Sequence, residues 1–384
     1  MQRSESESTK GIDRYRGCLV GVSVGDALGY PVEFKKEERI FADYGDRGIT
    51  DYALKDGVAQ ISDDTQMTLF TATGLLQGIT RGMTRGIMGP QESYVWLHYQ
   101  DWYKTQMRTY EDVRKDEFHY SWLVNEPEMF NVRAPGGTCL SALEKGTPGA
   151  LDRSINTSKG CGGIMRVAPV ALYREAGLQD NGRLDILGAK VAALTHTHEL
   201  GYIPAAALVH IIDKIVREAM TVAEAVDDAM ARMPELFPQA QHMDEFLALM
   251  RKAIDLADEA RSASSDLEAI HQLGQGWVAE ETLAIAVYCA LRYPDDFESA
   301  VIAAVNHNGD SDSTGGVAGA IVGANVGLSA IPRKYLDNLE LKQVTLTLAD
   351  DLYKGCPFDE WGPLEGADPD PHWAAKYIKN SYHL

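Results

Sequence analysis

The chain has 384 residues, 45% of them hydrophobic, enough to bury a large core. Its formal net charge is -20, and Lys and Arg are scattered, which excludes nucleic-acid binding driven by phosphate charge. Five cysteines at wide spacings, with no CxxC pair, exclude a disulfide framework and a structural zinc site, and point to a reducing cytoplasm.

In chain order, Met1 to Lys10 is polar and rich in Ser and Glu, unlike a secretory leader, and residues 1–12 are expected to lack regular structure. From Tyr15 onward the pattern is helical. Leu69, Ala72, Leu76 and Ile79 share one helix face, as do Leu208, Ile211, Ile212, Ile215 and Val216. Met243 to Leu256 and Leu267 to Leu273 also read as helices, with the polar stretch Asp258 to Asp266 between them as a surface loop. Leu283, Ala286, Val287, Ala290 and Leu291 give another helix. Val344 to Leu348 alternates as a strand would, but it runs into Ala349 to Tyr353, which favours a helix. Cys356 to Asp370, rich in Pro, Gly and acids, reads as a loop or arm. The pattern predicts one all-α domain over 13–355 and a C-terminal arm over 356–384. No uninterrupted apolar run approaches the roughly 18 residues a membrane span needs, so no membrane partner is expected.

Five short motifs carry chemistry. Gly25-Asp26-Ala27-Leu28-Gly29 precedes Glu33 by a few residues; a buried, hydrogen-bonded Asp26 and a surface Glu33 would explain it without function. Ser62-Asp63-Asp64-Thr65 stands at a helix start, where capping needs one acceptor and finds several. Ser158-Lys159-Gly160-Cys161-Gly162-Gly163 exposes backbone amides, as an anion-binding nest or a tight turn does. Thr195-His196-Thr197-His198 offers two imidazoles, which on a helix would face different ways. Asp310-Ser311-Asp312-Ser313-Thr314 places two carboxylates two residues apart, with hydroxyls between, a set of oxygens that suits a hard cation. It begins like an EF-hand loop, but the twelfth position is Ile321, not the required Glu.

In this order the motifs resemble the ADP-ribosylglycohydrolase family, over roughly Tyr15 to Tyr353. The stretches that carry the resemblance are Gly17 to Phe34, Ile61 to Thr65, Ser158 to Arg166, Leu194 to His196, Gly274 to Glu281 and Asn308 to Ser313. The resemblance implies an all-α, single-domain orthogonal helical bundle around two Mg²⁺ or Mn²⁺ ions. It implies Ser62, Asp63 and Asp64 as one ligand group, with Asp310, Asp312 and Ser313 as the other. Glu33 and Asp312 would be catalytic. Ser158, Lys159, Gly160, Gly162 and Gly163 would hold the substrate's phosphates, His196 would line the ADP-ribose pocket, and Trp277 would border the adenosine side. The implied activity is metal-dependent removal of ADP-ribose from a modified protein, first of all from ADP-ribosylarginine, by hydrolysis of the N-glycosidic bond. ADP-ribose would be the product. The alternatives are another ADP-ribosyl bond (serine, O-acetyl-ADP-ribose or a nucleobase) or a silent ADP-ribose-binding protein. Three positions depart from the family's usual pattern: Cys161 often stands as Asn, Lys159 as an aromatic in some members, and Ser313 as Thr in many.

Overall fold

The computed structural model describes residues 5–173, 182–260, 265–365 and 370–384. The longer helices are α1 (Glu5–Gly29), α2 (Asp63–Arg85), α3 (Gln91–Met107), α4 (Arg183–Ala193), α5 (Glu199–Asp213), α6 (Val222–Leu236), α7 (Met243–Ala260), α8 (Ala279–Arg292), α9 (Phe297–Val305), α10 (Ser311–Val326) and α11 (Lys342–Lys354). The only paired strands among the described residues are β1 (Phe358–Asp359) and β2 (Gly362–Pro363), a short antiparallel hairpin. The all-α expectation holds, and Val344 to Leu348 is helical, within α11.

Two helices at the centre explain how the site is built. From Cys18 to Leu28, α1 is buried on every side, and so is α10 from Ser311 to Ala324. A helix without a polar face must be surrounded by other elements. These two surround each other closely, because glycine recurs every fourth residue on both, at Gly17, Gly21, Gly25 and Gly29 and at Gly315, Gly319 and Gly323. A Cβ placed on Gly17, Gly21 or Gly25 would lie under 3.0 Å from the carbonyl oxygen of Gly323, Gly319 or Gly315 respectively. The pairing runs antiparallel, and its last rung sets Gly29 against Ser311 and Asp312. The C-terminal end of α1 is thereby held at the N-terminal end of α10.

Three boundaries differ from expectation. Residues 5–12 belong to α1. Ser329 donates to Asp13 from both its amide and its hydroxyl (3.1 and 2.8 Å), and a Cβ on Gly11 would touch the Tyr353 ring at 2.9 Å. Tertiary packing thus outweighs a polar composition there. The stretch expected as a loop over Asp258 to Asp266 is narrower: α7 continues to Ala260 and a short helix starts at Asp266, while residues 261–264 lie outside the described residues. The segment from Cys356 contains the hairpin and then a helix, α12 (Trp373–Tyr377). The Trp373 indole donates to Thr80 on α2 at 3.0 Å, and Lys376 and Tyr377 each reach Asp351 on α11 at 2.5 Å.

Away from the centre, α4, α5 and α6 meet at His210. Its Nδ1 lies 3.0 Å from Asp185 and its Nε2 2.8 Å from Asp228, with Lys214 3.9 Å from Asp228. Burial alone would lower the imidazole pKa, but the two carboxylates outweigh it and the pKa is raised. A raised folded-state pKa contributes stability that is fully present below the unfolded value of about 6.5 and is lost as pH rises through the folded value. His210→Gln is therefore expected to lower the melting temperature most below about pH 6.5, by roughly 2 °C or more, with the difference from wild type shrinking above neutrality. A pH series of thermal melts on both proteins checks this; a constant difference from pH 5 to 9 would refute the ionic role.

Candidate active site

The two acidic motifs occupy two helix N-termini that face each other. Ser62 caps α2, its hydroxyl accepting from the Asp64 amide at 3.2 Å. Asp310 caps α10, accepting from the Ser313 amide at 3.3 Å. The Ser313 hydroxyl donates to Asp64 at 2.8 Å and so joins the two clusters. Asp63 accepts from the Gly136 amide at 3.1 Å. Both motifs therefore cap helices, and their surplus carboxylates point into one shared space. Asp26, fully buried near the end of α1, accepts from the Ser62 and Thr65 amides at 2.9–3.1 Å and from the Thr65 hydroxyl at 2.5 Å. It fixes the turn that carries Asp63 and Asp64, in keeping with the plain reading of a buried, hydrogen-bonded acid.

Glu33 follows α1 by one short turn and is buried rather than at the surface. Carboxylate oxygens of Glu33, Asp310 and Asp312 lie within 4.8 Å of one another. Buried like charges raise each other's pKa. Burial, then Asp312, Asp310 and Asp63, push Glu33 up to about 11. Burial and Asp312 likewise hold Asp63, Asp64 and Asp310 far above the usual carboxylate range, and burial raises Asp312 itself. Glu33 Oε2 is buried and takes no hydrogen bond. Hard oxygen donors, dense negative charge and an orphaned carboxylate oxygen fit a divalent cation of the Mg²⁺ or Mn²⁺ type. Of the sequence-predicted ligand set, Ser62, Asp63, Asp64, Asp310, Asp312 and Ser313 converge here.

The glycine loop lies beside this cluster. Its edge pairs with the segment before α8: the Cys161 amide donates to the Trp277 carbonyl at 3.1 Å, and the Ala279 amide donates to the Lys159 carbonyl at 2.9 Å. The Cys161 thiol donates to Asp310 at 2.7 Å, linking loop and acidic cluster. A Cβ on Gly162 would meet Cys139 Sγ at 2.9 Å and His196 Cε1 at 3.0 Å, so that glycine is required by space. Ser158, at the loop's start, shares its hydroxyl with Thr138 at 3.3 Å. Lys159 is less available than the sequence suggested, since its ammonium pairs with Glu280 and lies 3.7 Å from Glu245. His196 is buried under the loop and burial, aided by Arg166, pushes its pKa down to about 3, so it is neutral. Arg166 donates to Thr195 Oγ1 at 2.6 Å, and that hydroxyl lies 2.8 Å from His196 Nδ1. The other ring nitrogen, Nε2, faces Gly160. His198 does not join the site; it caps α5, accepting from the Leu200 amide at 3.1 Å.

The sequence profile of the ADP-ribosylglycohydrolase family matches residues 7–360. The chain belongs to this family. Mouse ADP-ribosylhydrolase ARH3 is 24% identical over 380 residues, covering 90% of this chain and 93% of that protein. ADP-ribosylarginine hydrolase Tri1 of Serratia proteamaculans is 23% identical over 365 residues, covering 93% of this chain and 82% of that protein. A solved structure described as an ADP-ribosylglycohydrolase-related protein complex superposes with a TM-score of 0.57 at 24% identity, over 91% of this chain and 99% of that one, which shows a shared fold. The protein is thus a hydrolase of ADP-ribosyl groups, and no described helix is long and apolar enough to cross a membrane.

Several supports of this ADP-ribosylglycohydrolase's site carry no sequence signal of their own. Gly136 reaches Asp63 from the loop over 131–136, just before a short helix that starts at Gly137, and the paired glycines are its only hint. Arg133 pairs with Glu340, and the two clamp both the carbonyl and the amide of Ile61, just ahead of Ser62. Glu281 accepts from the Gln275 and Gly276 amides at 2.9 and 3.1 Å, and the Gln275 carbonyl accepts from Asp310 at 2.8 Å. The turn over Gly274 to Glu281 therefore braces the glycine loop on one side and the Asp310 cap on the other. Phe34, next to Glu33, stacks on Trp277 with ring centroids 5.9 Å apart.

Proposed function

We propose that this hydrolase cleaves the N-glycosidic bond between ADP-ribose and an arginine side chain of a modified protein, at a centre of two Mg²⁺ or Mn²⁺ ions. Ser62, Asp63, Asp64, Asp310, Asp312 and Ser313 would hold the ions. The observation that carries this reading is the convergence of Glu33, Asp310 and Asp312 in one buried cluster, joined to Asp64 through the Ser313 hydroxyl, beside a glycine loop. When bound, such ions supply positive charge for ribose hydroxyls and lower the pKa of a water nucleophile. With bound cations offsetting the negative charge that raises its pKa, Glu33, with its unpaired Oε2 among Asp310 and Asp312, would orient the attacking water or take its proton. Asp312 shapes the same space from the first turn of α10. The amides of Gly162 and Gly163 suit the pyrophosphate, while the Gly160 amide is held by the Ser158 hydroxyl at 3.3 Å and the neutral His196 lies beneath the loop.

Arginine is favoured over serine by the Serratia relative, which carries arginine specificity in its name. The five cysteines, all unpaired, suit a cytoplasmic setting. The test is a pair of peptides of one sequence, ADP-ribosylated on Arg or on Ser, incubated with chelated protein and then with Mg²⁺, Mn²⁺ or Zn²⁺. Chelation is expected to stop hydrolysis, Mg²⁺ or Mn²⁺ to restore it, and the arginine peptide to react faster. Cleavage of the serine peptide alone would overturn the substrate assignment; a requirement for tightly bound zinc would overturn the ligand assignment.

A further inference from the structure

The chain passes from the site to the surface within one peptide: Glu33 is 7% exposed and Phe34 is 74% exposed. Across the mouth stands Trp277, 39% exposed, whose carbonyl accepts from Cys161 of the glycine loop. The two rings stack at 5.9 Å with their planes 23° apart. A third planar group between them would need about twice the 3.5 Å van der Waals spacing, so a ligand meets their outer faces. A large exposed aromatic pair at the rim of a polar site marks a contact with something that binds there.

Building on the arginine reading, we propose that Phe34 and Trp277 form an aromatic rim that recognises the leaving guanidinium, in place of the adenosine-side role that the family resemblance implied for Trp277. The stack ties Trp277 to the Glu33 segment, which enters the cluster of Asp310 and Asp312, the end of the site where the scissile bond lies. A planar cation stacks on an aromatic face, and Trp is the strongest partner. The neighbouring Lys159 and Lys35, which would repel a cation, are each held by an acid, Glu280 and Asp43. A serine oxygen, neutral and not planar, gains nothing from these rings.

The test uses the full chain with Mg²⁺, the same arginine and serine peptides, and calorimetry with free ADP-ribose. Phe34→Leu and Trp277→Leu are each expected to lower kcat/KM on the arginine peptide by about 2- to 30-fold, with ADP-ribose affinity and any serine-peptide rate unchanged. Phe34→Tyr and Trp277→Phe, which keep a ring, should retain the arginine rate. Weaker ADP-ribose binding in the Leu variants would instead place the rings on the adenosine and overturn the proposal. So would wild-type kinetics on an arginine peptide that the enzyme does cleave. If the wild-type enzyme cleaves serine and not arginine, the substrate reading itself falls.

Discussion

Asp312→Ala is expected to reduce hydrolysis by roughly a thousandfold or more, since the several kcal/mol that a properly held cation contributes to a transition state would be lost. The same substitution should leave the metal-free protein at least as stable as wild type. Asp312 sits within reach of Asp26, Glu33, Asp63, Asp64 and Asp310 and raises the pKa of every one of them. Removing one member of a buried set of like charges relieves repulsion, while the helix keeps its Asp310 cap. The stabilisation that Mg²⁺ or Mn²⁺ gives the wild type should then be absent, because a ligand stabilises only in proportion to its binding. Thermal melts with and without the ion, beside a turnover assay, read all three effects. Near-normal turnover with an unchanged metal-induced shift would remove Asp312 from the site.

Gly319→Val is expected to be as damaging to the fold as Asp312→Ala is to the chemistry. A Cβ there would lie under 3.0 Å from the backbone of Gly21, and backbone cannot rotate aside as a side chain can. The helices would have to separate, at a cost of about 3 kcal/mol or more. Activity and metal binding should fall together with stability, because α10 carries Asp310 and Asp312 at its first turn and α1 leads into Glu33. Gly319→Ala should show the same effect in weaker form. A Val variant with a wild-type melting temperature would mean that α1 and α10 do not meet face to face.

Much of the site was legible because its chemistry depends on local order. Ser62-Asp63-Asp64 and Asp310-Ser311-Asp312-Ser313 each supply more oxygen than a cap needs, and that surplus is visible in a string of residues. The helical cores of α2, α5 and α8 were legible for a similar reason: apolar periodicity is a local property. The extent of the first helix was not legible, since residues 5–12 have a polar composition and gain their order from α1 packing on Tyr353 and from Asp13 reaching Ser329.

Other features arise only when distant segments meet. Glu33 could have been a surface residue; the last rung of the glycine ladder, Gly29 against Ser311 and Asp312, is what brings it beside Asp310 and Asp312. Lys159 looked like a free cation for phosphate until the fold set Glu280 next to it, because an ion pair depends on where two chains cross and not on either sequence. Asp26 gave no hint that it would hold the Ser62 turn, nor Phe34 that it would lie on Trp277. By itself, the sequence determined the family, the helical class and the two oxygen-rich acidic motifs, all of which are encoded in contiguous residues. The tertiary structure decided which carboxylates share a space, which charges are already spent on each other and which rings guard the mouth, because burial and proximity are properties of the folded chain alone.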